Sequence, residues 1–239
     1  MRKIYIKRPL YIKISKTLPL RQITALYGLR RVGKTSLLYQ IIHELLSQNK
    51  AQHILYFSFD EQAFDIKDVM ETYQKLVLGK TLEESAEKIF IFFDEIHKVG
   101  DWENKLKVYY DLYPRLKLFI SGSAAVSLRK RGKESLAGRI FEYHLEPLSF
   151  EEFLQLCGKN VKKIKENLNL WKRELIPLFY RYISYGMFPE LVTFEDEELA
   201  KQYLFNTILE RIIYKDIPEE FEIKDLELLK SLLFIIGKN

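Results

Sequence analysis

The chain has 239 residues, of which 47% are hydrophobic and 30% charged, and this composition is typical of a globular protein with a sizeable core. A transmembrane helix needs about 18 consecutive apolar residues, and the chain contains no apolar run of that length. Its first residues also lack the apolar segment of a signal peptide. We therefore expect a cytoplasmic location. The single cysteine, Cys157, excludes an intrachain disulfide and a cysteine-rich metal cluster. A net charge of +5 permits an anionic partner.

The first segment, residues 2–14, alternates charged and apolar positions until Arg8-Pro9 interrupts the pattern. This alternation predicts an edge strand, or, given the motif G-x-x-x-x-G-K-[ST] that residues 28–35 match, an arm that lies over the base of a bound nucleotide. The sequence leaves the two alternatives open.

The strongest motif lies at residues 28–35, Gly-Leu-Arg-Arg-Val-Gly-Lys-Thr, which match the pattern G-x-x-x-x-G-K-[ST] at every fixed position. An apolar run at 23–27 precedes the motif, and apolar residues at helical spacing follow it at 36–42. This order of strand, loop and helix is the context in which the motif binds phosphates. The residues expected to bind a nucleoside triphosphate are Gly28, Leu29, Arg30, Arg31, Val32, Gly33, Lys34, Thr35 and Ser36.

The fixed residues of this motif have separate physical roles. Gly28 and Gly33 let the backbone turn tightly and aim its N–H groups at phosphate oxygens. The helix that begins near Gly33 adds the partial positive charge of its N-terminus. Lys34 supplies a mobile charge for the β- and γ-phosphates, and Thr35 supplies a hydroxyl for Mg²⁺.

Strand and helix patterns alternate through the next hundred residues, which predicts an α/β fold with a doubly wound, mainly parallel five-stranded sheet. The apolar run 89–93 is long enough to indicate a strand buried on both faces. The expected strands are 23–27, 53–60, 89–95, 116–123 and 139–148. The expected helices between them are 36–42, 65–87 with an interruption at Gly79, 101–113 and 124–136.

Helical periodicity dominates after about residue 150, over 150–157, 164–185 and 196–215, and predicts a small helical lid. A last helix, expected at 224–236, ends abruptly in apolar residues, so we expect the chain to be a fragment of a longer protein. The expected domains are an ATPase core at 1–150, the helical lid at 151–217 and the start of a further domain at 218–239.

Two carboxylates, Asp94 and Glu95, follow the buried strand. At the carboxyl edge of the sheet Asp94 would lie beside the Mg²⁺ held by Thr35, and Glu95 would orient or deprotonate water for in-line attack on the γ-phosphate. Adjacent Asp-Glu also favours the additional-strand class of ATPases over GTPases. Consistently, the chain has no Asn-Lys-x-Asp motif for reading guanine.

Two serines, Ser121 and Ser123, end the strand that we expect beside the strand of the loop. A hydroxyl at this place could sense the γ-phosphate or position the attacking water. The alternative is an ordinary strand end capped by serine, and the sequence does not decide which serine would act. His97 could contact the γ-phosphate or a partner, or it could be a loop histidine without a catalytic role.

A basic cluster spans residues 129–133, with Arg139 nearby. It has three interpretations: an arginine finger that reaches the γ-phosphate of a neighbouring subunit, a contact to a nucleic-acid backbone, or a solvated helix end. Arg131 and Arg139 are the two candidates for stabilising charge in the transition state.

Together these motifs resemble those of archaeal and bacterial ATPases of the AAA+/STAND group, in particular those that pair an AAA domain with a C-terminal region of unknown function. The shared motifs are residues 28–35, Phe-Asp-Glu-Ile-His-Lys-Val at 93–99 with Trp102 after it, Ser-Gly-Ser-Ala at 121–124, Leu-Ala-Gly-Arg at 136–139, Glu-Pro-Leu-Ser-Phe-Glu-Glu-Phe at 146–153, Tyr-Gly-Met-Phe-Pro-Glu at 185–190 and Lys-Asp-Ile at 215–217.

The resemblance implies roles that the residues alone do not give. Pro189 would pack near the adenine, Arg139 would act on the γ-phosphate, and residues 218–239 would begin a winged helix. Two positions depart from the family pattern, because Met187 stands where a second glycine is frequent and Lys215 where arginine is frequent.

The leading hypothesis is a Mg²⁺-dependent ATPase that uses ATP binding and hydrolysis to drive a conformational switch. The alternative is an ATP-controlled protein that binds DNA or is loaded onto it, and a third is an interaction protein that scarcely hydrolyses its ATP. The partners implied are the nucleotide, a second copy of the chain, DNA or a protein client, without a membrane.

Overall fold

A computed structural model describes residues 6–60, 64–123, 135–221 and 223–238. The chain forms two compact units. The sheet unit consists of Lys7–Gly28 and Lys34–Leu145, and the helical unit contains Leu29–Gly33 and the residues after Leu145. No helix in the described ranges is long and apolar enough to cross a membrane.

The sheet unit is built on five strands, which confirms the expected parallel α/β sheet. The strands are β1 (Ile23–Tyr27), β2 (Ile54–Ser58), β3 (Ile89–Asp94), β4 (Leu116–Gly122) and β5 (Ile140–His144). Their spatial order is β2-β3-β4-β1-β5, and every neighbouring pair is parallel. β5 is shorter at both ends than the expected strand 139–148.

Burial explains why these segments form the centre of the sheet. All residues of β1, β3 and β4 are buried, as expected for strands covered on both faces. In β5 every residue is half-buried or exposed, because this strand lies at the edge of the sheet. The register pairs Ser58 with Asp94 and Leu26 with Ser121, so the carboxyl ends of β2, β3, β4 and β1 lie along one edge.

Within the described ranges the sheet unit has four α-helices: α1 (Pro9–Ser15), α2 (Lys34–Leu46), α3 (Ile66–Tyr73) and α4 (Trp102–Leu112). The alternative of an edge strand over 2–14 is wrong for its described part, because Pro9 occupies the first turn of α1, where a missing N–H costs nothing. The arm over a nucleotide base stays a prediction. The interruption expected at Gly79 within the helical segment 65–87 is confirmed. A π-helical turn, Gln74–Leu78, follows α3 and ends at Gly79, whose left-handed backbone terminates the helix.

The helical unit contains six helices within the described ranges. They are α5 (Phe150–Leu156), α6 (Val161–Glu166), α7 (Leu168–Arg181), α8 (Glu197–Tyr203), α9 (Ile217–Phe221) and α10 (Leu226–Lys238). A 3₁₀ helix, Pro189–Thr193, precedes α8, and π-helical turns follow α7 and α8. Its core joins Leu148, Phe153 and Ile164 to Val192. Of the expected helix 124–136, all but the last two residues lie outside the described ranges.

A lysine is buried inside the sheet unit. Lys117 in β4 is 0% exposed, and its Nζ donates hydrogen bonds to the carbonyl of Gln22 and, at 3.0 Å, to Oγ1 of Thr24. Burial, with a smaller contribution from the charge of Lys88, lowers the pKa of Lys117 from 10.5 to about 7. Above about pH 7, Lys117 is therefore a neutral amine in the folded protein.

The free energy of unfolding should depend on pH through Lys117. Between pH 7 and 10.5 the unfolded chain binds the lysine proton and the folded chain does not, so the stability contributed by this residue rises with pH, with a slope of up to about 1.4 kcal/mol per pH unit. Below pH 7 the slope vanishes. Urea unfolding across this interval should show the rise in the wild type and lose it in Lys117→Met. The exposed Lys13→Met is the control and should retain it; the same slope in Lys117→Met would contradict the assignment.

Candidate nucleotide-binding site

The loop between β1 and α2 contains the phosphate-binding motif. β1 ends at Tyr27, and α2 begins at Lys34, so that the N-terminus of α2 follows the last glycine of the motif. Gly33 has a φ of 100°, a conformation that a side chain would strain, and Arg31 has a φ of 63°. Lys34 is buried, and its Nζ donates a hydrogen bond to the carbonyl of Gly28 at 3.1 Å. The ammonium group is thus held against the loop itself.

The carboxylate of Asp94 is the centre of the site. Asp94 is the last residue of β3 and is 2% exposed. Thr35, at the start of α2, donates a hydrogen bond from Oγ1 to Oδ2 at 2.6 Å, and Tyr56 of β2 donates to the same oxygen at 2.9 Å. Ser121 of β4 donates from Oγ to Oδ1. Three hydroxyl groups from three elements therefore converge on one buried carboxylate.

The phenol of Tyr56 is held in its protonated form. Burial raises its pKa well above the ordinary range, and the hydrogen bond with Tyr39 and the negative charge of Asp94 raise it further. The rings of Tyr39 and Tyr56 lie 4.9 Å apart. Tyr56 is thus a donor to Asp94 at all ordinary pH values. Sequence reasoning missed it, because a tyrosine within an apolar strand carries no signal of its own.

These residues fit a magnesium ion. Mg²⁺ prefers hard oxygen ligands, commonly one or two carboxylates together with phosphates of the substrate. Asp94 and the hydroxyl of Thr35 provide such oxygens at the loop, and their distance of 2.6 Å shows that both can face one ion. The hydrogen bonds from Tyr56 and Ser121 fix the carboxylate without neutralising its charge.

Glu95 lies next to this cluster in an unusual backbone conformation. Its φ of 55° and ψ of 40° are left-handed, which is uncommon for a residue with a side chain and occurs at functional sites more often than elsewhere. Its N–H donates to Oγ of Ser121 at 3.2 Å, and its Oε2 lies 3.4 Å from Nδ1 of His97. Ser121 therefore contacts both acidic residues, and His97 lies beside the second.

Two other predicted site residues, Ser123 and Arg139, lie in the sheet unit but outside the cluster around Asp94. Ser123 follows the last residue of β4 and is half-buried, and none of the hydrogen bonds around Asp94 involves it. Arg139 precedes β5, and its carbonyl accepts the N–H of Ile23, the first residue of β1. It thus lies at the amino edge of the sheet, about 13 Å of strand away from the carboxyl edge at Tyr27.

The side chain of Arg139 is engaged at that amino edge. Its Nε and Nη2 donate to the two carboxylate oxygens of Asp111 at 2.9 and 3.2 Å, and this pairing lowers the pKa of Asp111. The structure thus does not bring Arg139 to Asp94 or Thr35 of the same chain, as a role within one subunit would require. A role across a subunit interface stays a prediction. Residues 129–133, with Arg131, lie outside the described ranges.

In the helical unit, Pro189 lies close to the loop segment Leu29–Gly33. A Cβ built on Gly33 would lie 3.7 Å from Cγ of Pro189. A contact of Pro189 with adenine stays a prediction. The loop arginines also have partners here: Arg30 Nε lies 3.5 Å from Oδ2 of Asp216, and Arg31 contacts Glu190. The motif pattern allows any residue at both arginine positions, so the sequence gave no indication of the contacts of Arg30 with Asp216 and of Arg31 with Glu190.

The parallel sheet, with the loop between β1 and α2 at its carboxyl edge, has the fold of P-loop NTPases. The model of the AAA domain family matches residues 20–154. The chain therefore belongs to the AAA domain family.

The chain is also similar to curated relatives and to a solved structure. An uncharacterized protein of Methanocaldococcus jannaschii is 33% identical, with 91% of this chain and 48% of that protein covered. An uncharacterized protein of Haemophilus influenzae is 32% identical, covering 91% of this chain and 51% of that protein. The chain thus spans about half the length of the curated relatives it matches. The structure of the S. cerevisiae Hsp104–ADP complex is similar in fold, with a TM-score of 0.50, 19% identity, and 92% of this chain and 33% of that chain covered.

The two serines should differ in their effect on stability. Ser121→Ala removes a donor from the buried carboxylate of Asp94 and should lower the free energy of unfolding by about 1–3 kcal/mol. Ser123→Ala is the matched control and should change it by less than about 0.5 kcal/mol. Urea unfolding of both variants at one pH measures the difference. Equal losses would show that the contact of Ser121 with Asp94 does not determine the effect.

Proposed function

We propose that this chain binds ATP with Mg²⁺ and hydrolyses it, and that the reaction drives a conformational switch. The observation that carries the proposal is the 2.6 Å hydrogen bond between Thr35 of the loop and the buried carboxylate of Asp94. It brings a metal-binding hydroxyl and a metal-binding carboxylate to the point where a phosphate-binding loop enters its helix. The family membership supports nucleotide binding, and the hydrolytic step is our inference.

The loop residues bind and orient the triphosphate in this proposal. The backbone N–H groups between Gly28 and Lys34, with the N-terminus of α2, attract the phosphate oxygens. Lys34 exchanges its hydrogen bond with the Gly28 carbonyl for the β- and γ-phosphates. Thr35 and Asp94 would hold the Mg²⁺, which would supply positive charge to offset the charge that develops on the phosphate oxygens.

Glu95 acts on water. It is the residue directly after Asp94, the last residue of β3, and its N–H donates to Oγ of Ser121, which itself donates to Asp94. A carboxylate in this place accepts a proton from, or orients, the water that attacks the γ-phosphate. His97 contacts the same carboxylate and thereby restricts its orientation.

The switch is proposed for the helical unit. The loop segment Leu29–Gly33 belongs to the same compact unit as the helices after Leu145. A nucleotide bound to this segment would therefore act directly on the unit that contains these helices. We propose that these helices act as a lid whose arrangement differs between the ATP and ADP states.

Control of DNA binding by ATP stays a prediction from the sequence. Its support is the net charge of +5 and the basic cluster at 129–133, which lies outside the described residues. Addition of duplex DNA to the hydrolysis assay tests it, since stimulation that weakens steeply with salt would indicate phosphate contacts.

Glu95→Gln should separate binding from hydrolysis. The amide cannot accept the proton, so we expect kcat to fall by about a hundredfold while the Kd for ATP stays unchanged. Steady-state phosphate release and a nucleotide titration measure the two quantities. Glu71→Gln, an exposed position on α3, makes the same change of charge and should leave both unchanged. Normal turnover in Glu95→Gln would reject its assignment.

Lys34→Ala should lose nucleotide binding itself. The substitution removes the full charge that the loop provides to the phosphates, so we expect the Kd for ATP to rise by about a hundredfold or more. The titration is accompanied by thermal unfolding without nucleotide, which shows whether the variant is folded. An unchanged Kd in a folded Lys34→Ala protein would exclude the loop as the nucleotide site.

A further inference from the structure

Two successive arginines occupy the free positions of the phosphate-binding loop, and both contact carboxylates of the helical unit. Arg30 lies 3.5 Å from Asp216, which follows α8 along the chain. Nη1 of Arg31 donates to Oε2 of Glu190 at 2.5 Å. The loop is thus connected to two separate segments of the helical unit by residues that phosphate binding itself does not require.

The contacts of Arg31 form a closed cluster of three side chains. Arg31 also donates from Nη1 to the hydroxyl of Tyr203, and Tyr203 donates to Oε2 of Glu190 at 2.9 Å. The guanidinium carbon lies 5.4 Å from the centre of the Tyr203 ring. We call Arg31, Glu190 and Tyr203 the Arg31 cluster. It links the loop to the 3₁₀ helix Pro189–Thr193 and to the last residue of α8.

The backbone of Arg31 makes this side chain costly. A φ of 63° lies in the left-handed region, which strains a residue with a Cβ and is freely adopted by glycine. Glycine would therefore serve the loop at this position if the backbone alone mattered. The arginine is informative because its side chain is engaged on both sides, with Glu190 and with Tyr203.

We propose that Arg31 is a positioning residue that couples the phosphate-binding loop to the helical unit, a role that rests on the nucleotide binding proposed above. Its φ and ψ help to set the direction of the N–H groups between Gly28 and Gly33, and its guanidinium holds Glu190 and Tyr203. Nucleotide that orders the loop therefore orders this cluster. By reciprocity, the arrangement of the cluster changes the affinity of the loop for nucleotide by the same factor.

Arg31→Gly is the sharpest variant for this proposal. Glycine adopts the left-handed conformation without strain, so the loop keeps its shape and its N–H groups while the cluster is lost. Arg31→Lys retains the charge but replaces the planar fork with a single ammonium that cannot pair with Glu190 and lie over Tyr203 in the same way. We expect Arg31→Lys to be intermediate between the wild type and Arg31→Gly.

The experiment is amide hydrogen exchange over residues 189–216, with and without ATP and Mg²⁺. In the wild type we expect nucleotide to slow exchange in this segment. In Arg31→Gly and in Glu190→Gln we expect most of that effect to disappear, and in Glu190→Gln, which leaves every residue of the phosphate-binding loop in place, we expect the Kd for ATP to change by less than about tenfold. The double variant should lose no more than either single variant, since both break the same link.

A matched control lies on the same helix. Glu197 pairs with Lys201 at 2.6 Å on the exposed surface of α8, so Glu197→Gln removes an ion pair of the helical unit without touching the Arg31 cluster. It should keep the nucleotide-dependent change in exchange. Loss of the change in Glu197→Gln as well would indicate general weakening of the helices and would overturn the coupling role.

The remaining outcomes separate this inference from the proposed function. A wild type that binds ATP without altering exchange over 189–216, or an Arg31→Gly variant that responds as the wild type does, would overturn the role of Arg31 and leave ATP binding intact. A wild type that binds ATP, shows the Arg31-dependent change and releases no phosphate would retain the coupling and reject hydrolysis. Failure of the wild type to bind ATP would reject both.

Discussion

The hydrogen bond between Thr35 and Asp94 is the interaction on which the site depends. The two residues come from elements that do not pair: Thr35 follows β1, Asp94 ends β3, and β4 lies between these strands. Only a parallel arrangement with aligned carboxyl ends brings both side chains to one point. The buried, uninterrupted β3 and β4 fix that alignment, so the apolar core determines where the polar chemistry is placed.

The donors around Asp94 explain how a buried carboxylate is kept ready for a metal. Burial of a charge is costly unless hydrogen bonds satisfy it, and here the hydroxyls of Thr35, Tyr56 and Ser121 do so. Hydroxyls contribute dipoles rather than a counter-charge, so the carboxylate retains its attraction for a cation. Ser121 also accepts the N–H of Glu95, which links the orientation of the Asp94 carboxylate to the backbone of Glu95.

The sequence predicted the parts of this protein that local pattern determines. Apolar runs located the strands, and the motif located the loop, Lys34 and Thr35; the helix at Pro9 was missed because alternation outweighed the meaning of proline at a helix start. The sequence pattern did not predict the contacts that depend on which strands pair and in what register. Tyr56 joins Asp94 only because β2 pairs with β3, and Arg139 lies at the wrong edge for its own chain's phosphates because β5 pairs with β1 in parallel. The partners of Arg31 are more than 150 residues away in sequence, at positions without a motif.

The strand order has a consequence for synthesis. β1 is followed immediately by the loop, yet its partners in the sheet are β4 and β5, which begin at Leu116 and Ile140. During synthesis β1 therefore has no strand to pair with until β4 has left the ribosome. Long-range pairing of this kind is slow, and an unpaired strand edge in the meantime invites aggregation. The strand that precedes the phosphate-binding loop is therefore among the last to be paired. A ribosome-bound chain that ends before β4 is expected to lack a formed loop.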